Sequence, residues 1–134
     1  MKNLAVTILL AALLPARAQA DATRVVKMAF GTGIENHTIT GVDTSFSADC
    51  GRLYFWTVTA GPMEADTIFH TWSLNGRAIQ KLPILVRGHF YRSHSYKTVS
   101  AMLSGSWKVA VSDAEGNLLA SDSATVRAAA TPEE

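Results

Sequence analysis

Along most of the chain, apolar and polar residues alternate in short runs separated by turn-forming residues. A period of two is the signature of β-strands with one covered face, and no segment shows the spacing of an amphipathic helix. Thr23 to Phe30 alternates, with Val25, Lys27 and Ala29 on one side, until Gly31-Thr32-Gly33 interrupts it. Residues 34–51 are polar and punctuated by Gly41, Asp43, Asp49 and Gly51, which fits a long loop or a weak edge strand. Arg52 to Ala60 carries Leu53, Tyr54, Phe55, Trp56 and Val58, apolar on both faces, and predicts a central, well-covered strand that Gly61-Pro62 stops. In Thr67 to Leu74 the even positions Ile68, His70, Trp72 and Leu74 form the expected inward face. Asn75-Gly76 then suits a type I′ hairpin turn, because both central residues need positive φ. The return strand, Arg77 towards Arg87, contains Pro83, which cannot donate to a ladder and predicts an edge or a bulge. After Gly88-His89 come a strand from Phe90 to Lys97, the alternating Trp107, Val109 and Val111, a hairpin loop from Asp113 to Asn117, and a last strand from Leu118 to Arg127. Seven or eight strands on short turns predict an all-β fold, a single antiparallel β-sandwich of immunoglobulin-like form.

The first twenty residues follow a different rule. One positive charge at Lys2 precedes an apolar run from Leu4 to Leu14, broken only by Thr7, and then Pro15 and small residues up to Ala20. That order is a secretory signal peptide, with cleavage expected after Ala20 and Ala18 as the neighbouring alternative. A run of 11 residues is short against the roughly 20 needed to span a bilayer, and no cysteine stands at the cleavage site for a lipid anchor. The expected division is a signal peptide over 1–20 and one domain over 21–134, with a frayed tail from about 128. No transmembrane segment is expected in the mature protein, whose expected location is periplasmic or secreted.

Charge and cysteine content narrow the function. The whole chain has net charge +1. Without Lys2 and Arg17, 10 basic residues face 11 acidic ones, a net −1. The basic residues are scattered along the sequence, so no nucleic-acid partner is expected. Cys50 is the single cysteine, so no internal disulfide can form. It reads as a half-buried small hydrophobe, against the alternatives of an intermolecular disulfide or a nucleophile.

Two stretches carry candidate chemistry. His70 and Trp72 lie two apart on one strand face. In Tyr91 to Lys97, Tyr91, Ser93, Ser95 and Lys97 share one face, and Arg92, His94 and Tyr96 share the other with Phe90. His70 is either a core histidine with a satisfied hydrogen bond or a ligand contact with a near-neutral pKa. Arg92 is either a structural clamp or a bidentate anion grip. Ser95 and Lys97 have the spacing of a nucleophile–base pair, which requires a desolvated lysine. No metal site or other cofactor is expected, because His37, His70, His89 and His94 lack acidic or cysteine partners at matching spacing. Of Trp56, Trp72 and Trp107, Trp107 and at least one other are expected in the core.

The His-x-Trp pair at His70 and Trp72, the stretch from Tyr91 through Lys97, the Gly-x-Trp-x-Val-x-Val strand from Gly105 to Val111 and the turn from Asp113 to Gly116 occur in one order. In that order they resemble the bacterial family called domain of unknown function 2914. The resemblance spans roughly residues 24–127 and departs at Tyr91, where the family often has Trp. It implies an exported or periplasm-facing all-β domain and implies no reaction and no ligand.

The expected function is a non-enzymatic binding or interaction module. Its ligand-binding residues would be His70, Trp72, Arg92, Ser95 and Lys97, and no catalytic residue is assigned. The partner would be an unknown small molecule, a glycan such as a cell-wall fragment, a small anion, or a protein. A small enzyme using His70 as acid/base, with Arg92 or Lys97 stabilising negative charge, is the alternative. A third reading is an assembly partner that adds a strand at an exposed edge near Pro83.

Overall fold

The computed structural model describes residues 22–128. The segment expected to be a signal peptide, residues 1–20, and the terminal tail from residue 129 lie outside the described residues. Among the described residues no helix is long and apolar enough to cross a membrane.

The fold is all-β. Ten strands follow in chain order: β1 (Arg24–Gly31), β2 (Gly33–Glu35), β3 (Thr38–Thr40), β4 (Ser45–Ser47), β5 (Arg52–Ala60), β6 (Asp66–Leu74), β7 (Arg77–Val86), β8 (Tyr91–Thr98), β9 (Gly105–Asp113) and β10 (Leu118–Arg127). Seven are long and match the alternating runs of the sequence. The other three are three-residue pieces between Gly33 and Ser47, in or at the edge of the polar stretch 34–51, too short to leave a periodic signal.

The strands form a three-stranded sheet β1-β5-β8, a five-stranded sheet β4-β10-β9-β6-β7 and the small hairpin β2-β3. The expectation of a wholly antiparallel arrangement needs one correction: β4 pairs parallel with β10, through Phe46 opposite Val126. The long path from β4 through the other strands to β10 makes that direction available, whereas a tight hairpin would not. Side chains of both larger sheets meet in one core, which joins Phe30, Leu53 and Phe55 to Ile68, Trp72, Trp107, Val109, Val111 and Val126. Phe30 meets Trp72 edge-on with centroids 6.0 Å apart, and Trp72 meets Trp107 at 5.9 Å.

β5 is central in its sheet, and its residues from Phe55 to Ala60 are all buried. Leu53, Phe55 and Thr57 point into the core. On the other side, Trp56 is covered by the β2-β3 hairpin, and its Nε1 donates to the His37 carbonyl at 2.8 Å. That hairpin turns at Asn36-His37, both at positive φ. It lies close because Gly31 has no side chain. A Cβ there would sit 2.6 Å from Ile39 Cγ1.

Alternation in β1 is broken by a bulge. Val25 pairs with Thr59 and Lys27 with Val58, so Val26 is an extra residue. Val25 and Met28 therefore pack on the core, while Lys27 and Ala29 fall on the opposite face. The expectation of Val25, Lys27 and Ala29 on one side fails for that reason. β7 is an edge strand, as Pro83 predicted, and a second bulge near Ile79 offsets it from β6. Cys50 is half-buried, and its thiol donates to the Arg52 carbonyl. Burial first, and the Asp49 charge to a lesser degree, push its pKa up against the lowering effect of its own backbone N–H.

Candidate functional site

The sequence-nominated residues separate into three places. His70, Trp72 and Ser95 come together across the core. His70 and Trp72 project from β6, Ser95 from β8, and all three are buried. Ser95 Oγ lies 2.7 Å from His70 Nδ1, and Trp72 Nε1 donates to the same Oγ at 2.9 Å. A hydroxyl has one proton to donate and two lone pairs. Fewest polar groups are stranded if Ser95 accepts from Trp72 and donates to Nδ1, which leaves the imidazole proton on Nε2. Nε2 is buried without a hydrogen-bond partner among the described residues. Burial, with a smaller contribution from the His94 charge, lowers the His70 pKa to about 4. The ring is neutral at pH 7.

This is a structural polar bridge between two sheets. Ser95 Oγ and His70 are close enough for a nucleophile–base pair, but Nε2 has no carboxylate to orient it, and the ring is fully inaccessible. The Phe55 ring packs edge-on against His70, with centroids 5.3 Å apart.

Lys97 lies on the same face of β8 as Ser95, half-buried at a cleft between β7 and β8. Gln80 and Leu82 face it from β7, and the cleft holds about 450 Å³. Desolvation lowers the Lys97 pKa. Arg92 is elsewhere: β8 alternation turns it to the outside, where Nη1 donates to Thr38 Oγ1 at 3.2 Å. Arg92 and Lys97 therefore occupy opposite faces and do not converge with His70. Among the described residues no group of three His, Cys, Asp or Glu side chains is placed to hold a metal ion.

The outward face of the three-stranded sheet is the feature that sequence reading missed. Its register sets side chains in rows: Lys27, Val58 and Arg92; Ala29, Trp56 and His94; Gly31, Tyr54 and Tyr96; and Arg52 beside Thr98. Tyr54 packs on Tyr96 at 5.4 Å and on His94 at 6.0 Å. The Arg52 guanidinium sits 4.5 Å above the Tyr96 ring and donates to the Tyr54 hydroxyl at 3.4 Å. The three strands hold Arg24, Lys27, Arg52, Arg92 and Lys97 and no Asp or Glu. The five-stranded sheet mixes Asp66, Asp113 and Asp122 with its cations. Half of the signal lay in the sequence, since Arg92, His94 and Tyr96 alternate away from Ser95. Pairing with β5 and β1 supplied the rest.

Fold and site together define a small all-β domain with a buried polar bridge and one cationic, aromatic sheet face. Residues 65–126 match the model of a family described as "Protein of unknown function (DUF2914)", and over that stretch the chain resembles it. The match contains His70, Trp72, Arg92, Ser95 and Lys97 and runs from β6 into β10, so β1 and β5 lie outside it. No curated protein matches the chain.

Proposed function

We propose that the protein is an exported, periplasmic, non-catalytic binding module of β-sandwich, immunoglobulin-like form, and that it engages an anionic ligand through the outward face of β1-β5-β8. The signal-peptide order of the first twenty residues supports export. Seven long strands in two sheets around a common core support the sandwich. The observation that carries the ligand reading is the charge of that face: a nearly neutral chain collects Arg24, Lys27, Arg52 and Arg92 on the outward side of three strands that contain no acid. Such a surface draws anions, and its rings and guanidinium groups are held in place by one another before any ligand arrives. An acidic sugar unit or another small anion fits this chemistry.

Strand addition at β7 has less support, because that edge carries Arg77, Lys81, Pro83 and a bulge, all of which discourage pairing. The test is a titration of the isotopically labelled protein with a hydrophilic polyanion, polygalacturonate, read by backbone NMR shifts. Shifts should gather on outward residues of β5 and β8, weaken on raising the salt, and weaken in Arg52→Ala and Arg92→Ala. Shifts centred on Ser95 and Lys97, or no salt-sensitive binding, would overturn the reading.

A further inference from the structure

At one end of the cationic face, the row Lys27–Val58–Arg92 places an apolar residue between two cations. At a strand spacing of about 4.8 Å, the two outer backbones are roughly 10 Å apart. Val58 and the neighbouring Trp56 form a floor, and the bulged Val26 and Phe90 stand beside it. Val26 is 40% and Phe90 73% exposed, although exposed bulky apolar side chains gathered at one place commonly mark a binding surface. Thr38 reaches over from the hairpin, and its hydroxyl accepts from Arg92 and holds that side chain over the groove. The groove encloses about 520 Å³, and no carboxylate lines it. That volume is in the range of small-ligand clefts.

We propose that this groove binds a soluble single-chain anionic amphiphile, a carboxylate or phosphate head carried on an acyl chain. The inference rests on the anion-binding reading above and names the ligand class for one end of that face. The head lies between Lys27 and Arg92, where a guanidinium offers several donors to one anion. The chain lies over the nearly buried floor of Trp56 and Val58 and covers the exposed Val26 and Phe90, whose apolar area gains about 25 cal/mol per Å² on removal from water. A fully hydrophilic anion satisfies the two cations and leaves that apolar surface wet. A cationic amphiphile covers the surface and meets like charge.

The test uses laurate below its micelle concentration, with calorimetry and tryptophan emission as readouts. Trp56 borders the groove, while Trp72 and Trp107 are sealed in the core, so a change in emission reports on this site. One saturable site is expected, tightening from octanoate to laurate, with no binding of dodecyltrimethylammonium. Arg92→Ala should raise Kd about tenfold, the loss of one charge-assisted contact. Phe90→Ala should also weaken binding and lessen the dependence on chain length. Both residues are exposed, so circular dichroism should show the fold retained. Equal binding of the cationic amphiphile, affinity independent of chain length, or unchanged binding in Arg92→Ala would each overturn the proposal. Binding to phosphatidylglycerol vesicles without a response to free laurate overturns it too. If polygalacturonate binds and laurate does not, the amphiphile proposal alone fails. If neither binds, the anion-binding reading fails with it.

Discussion

Acidification should loosen this domain through His70, in a pH range where carboxylates are still largely ionised. The imidazole is buried, one nitrogen faces Ser95 and the other has no partner among the described residues, so protonation would strand a charge in the core. Its pKa falls from 6.5 in an exposed chain to about 4 in the fold. Between those values the unfolded chain binds a proton that the folded one does not, so stability rises with pH there. The contribution is fully present above pH 6.5 and is lost as pH falls towards 4. At 1.36 kcal/mol per pKa unit the loss reaches about 3 kcal/mol, a large part of the 5–15 kcal/mol typical of a domain. The assay is urea unfolding at intervals from pH 7 to 4.5 for the wild type and for His70→Phe, which cannot titrate and keeps an aromatic ring at that position. The wild type should lose stability more steeply than the variant over that interval. Equal slopes for the two proteins would refute the burial argument.

Other outcomes follow from the same structure. Ser95→Ala removes the shared partner of Trp72 Nε1 and His70 Nδ1, so it should cost about 2–5 kcal/mol in chemical denaturation; a change within experimental error would show that water or repacking replaces the bridge. Gly76→Ala places a Cβ at φ 83 in the β6–β7 turn and should cost about 1 kcal/mol without moving the NMR shifts of the outward face. Cells expressing the full chain should yield a periplasmic protein whose mass begins at Asp21, or at Gln19 if cleavage follows Ala18; an unprocessed cytoplasmic product would refute the export reading.

Much of the strand pattern was legible because alternation is a local property. Ile68, His70 and Trp72 announce a buried face by spacing alone, and Asn75-Gly76 marks its own turn. Pro83 marks an edge because it lacks the proton a second neighbour needs. Three features escaped. The pieces β2, β3 and β4 are too short for a period. Asn36-His37 turns without the glycine that signals such a hairpin. In β1, a single inserted residue reversed the expected facing of Val25 relative to Lys27 and Ala29.

The candidate site divides along the same line. Sequence by itself determined that His70 and Trp72 share one face and that Arg92 and Ser95 oppose each other on theirs, because side-chain direction along a strand depends only on position. Which strands lie side by side depends on contacts between residues far apart in the chain, and tertiary structure alone decided it. Packing of the two sheets brought Ser95 between His70 and Trp72 and made a candidate base a buried neutral ring. Pairing of β5 with both β1 and β8 set Lys27, Val58 and Arg92 in one row and turned scattered basic residues into a cationic face. Facing is a local consequence of the backbone, whereas neighbourhood is a cooperative consequence of burying one shared core.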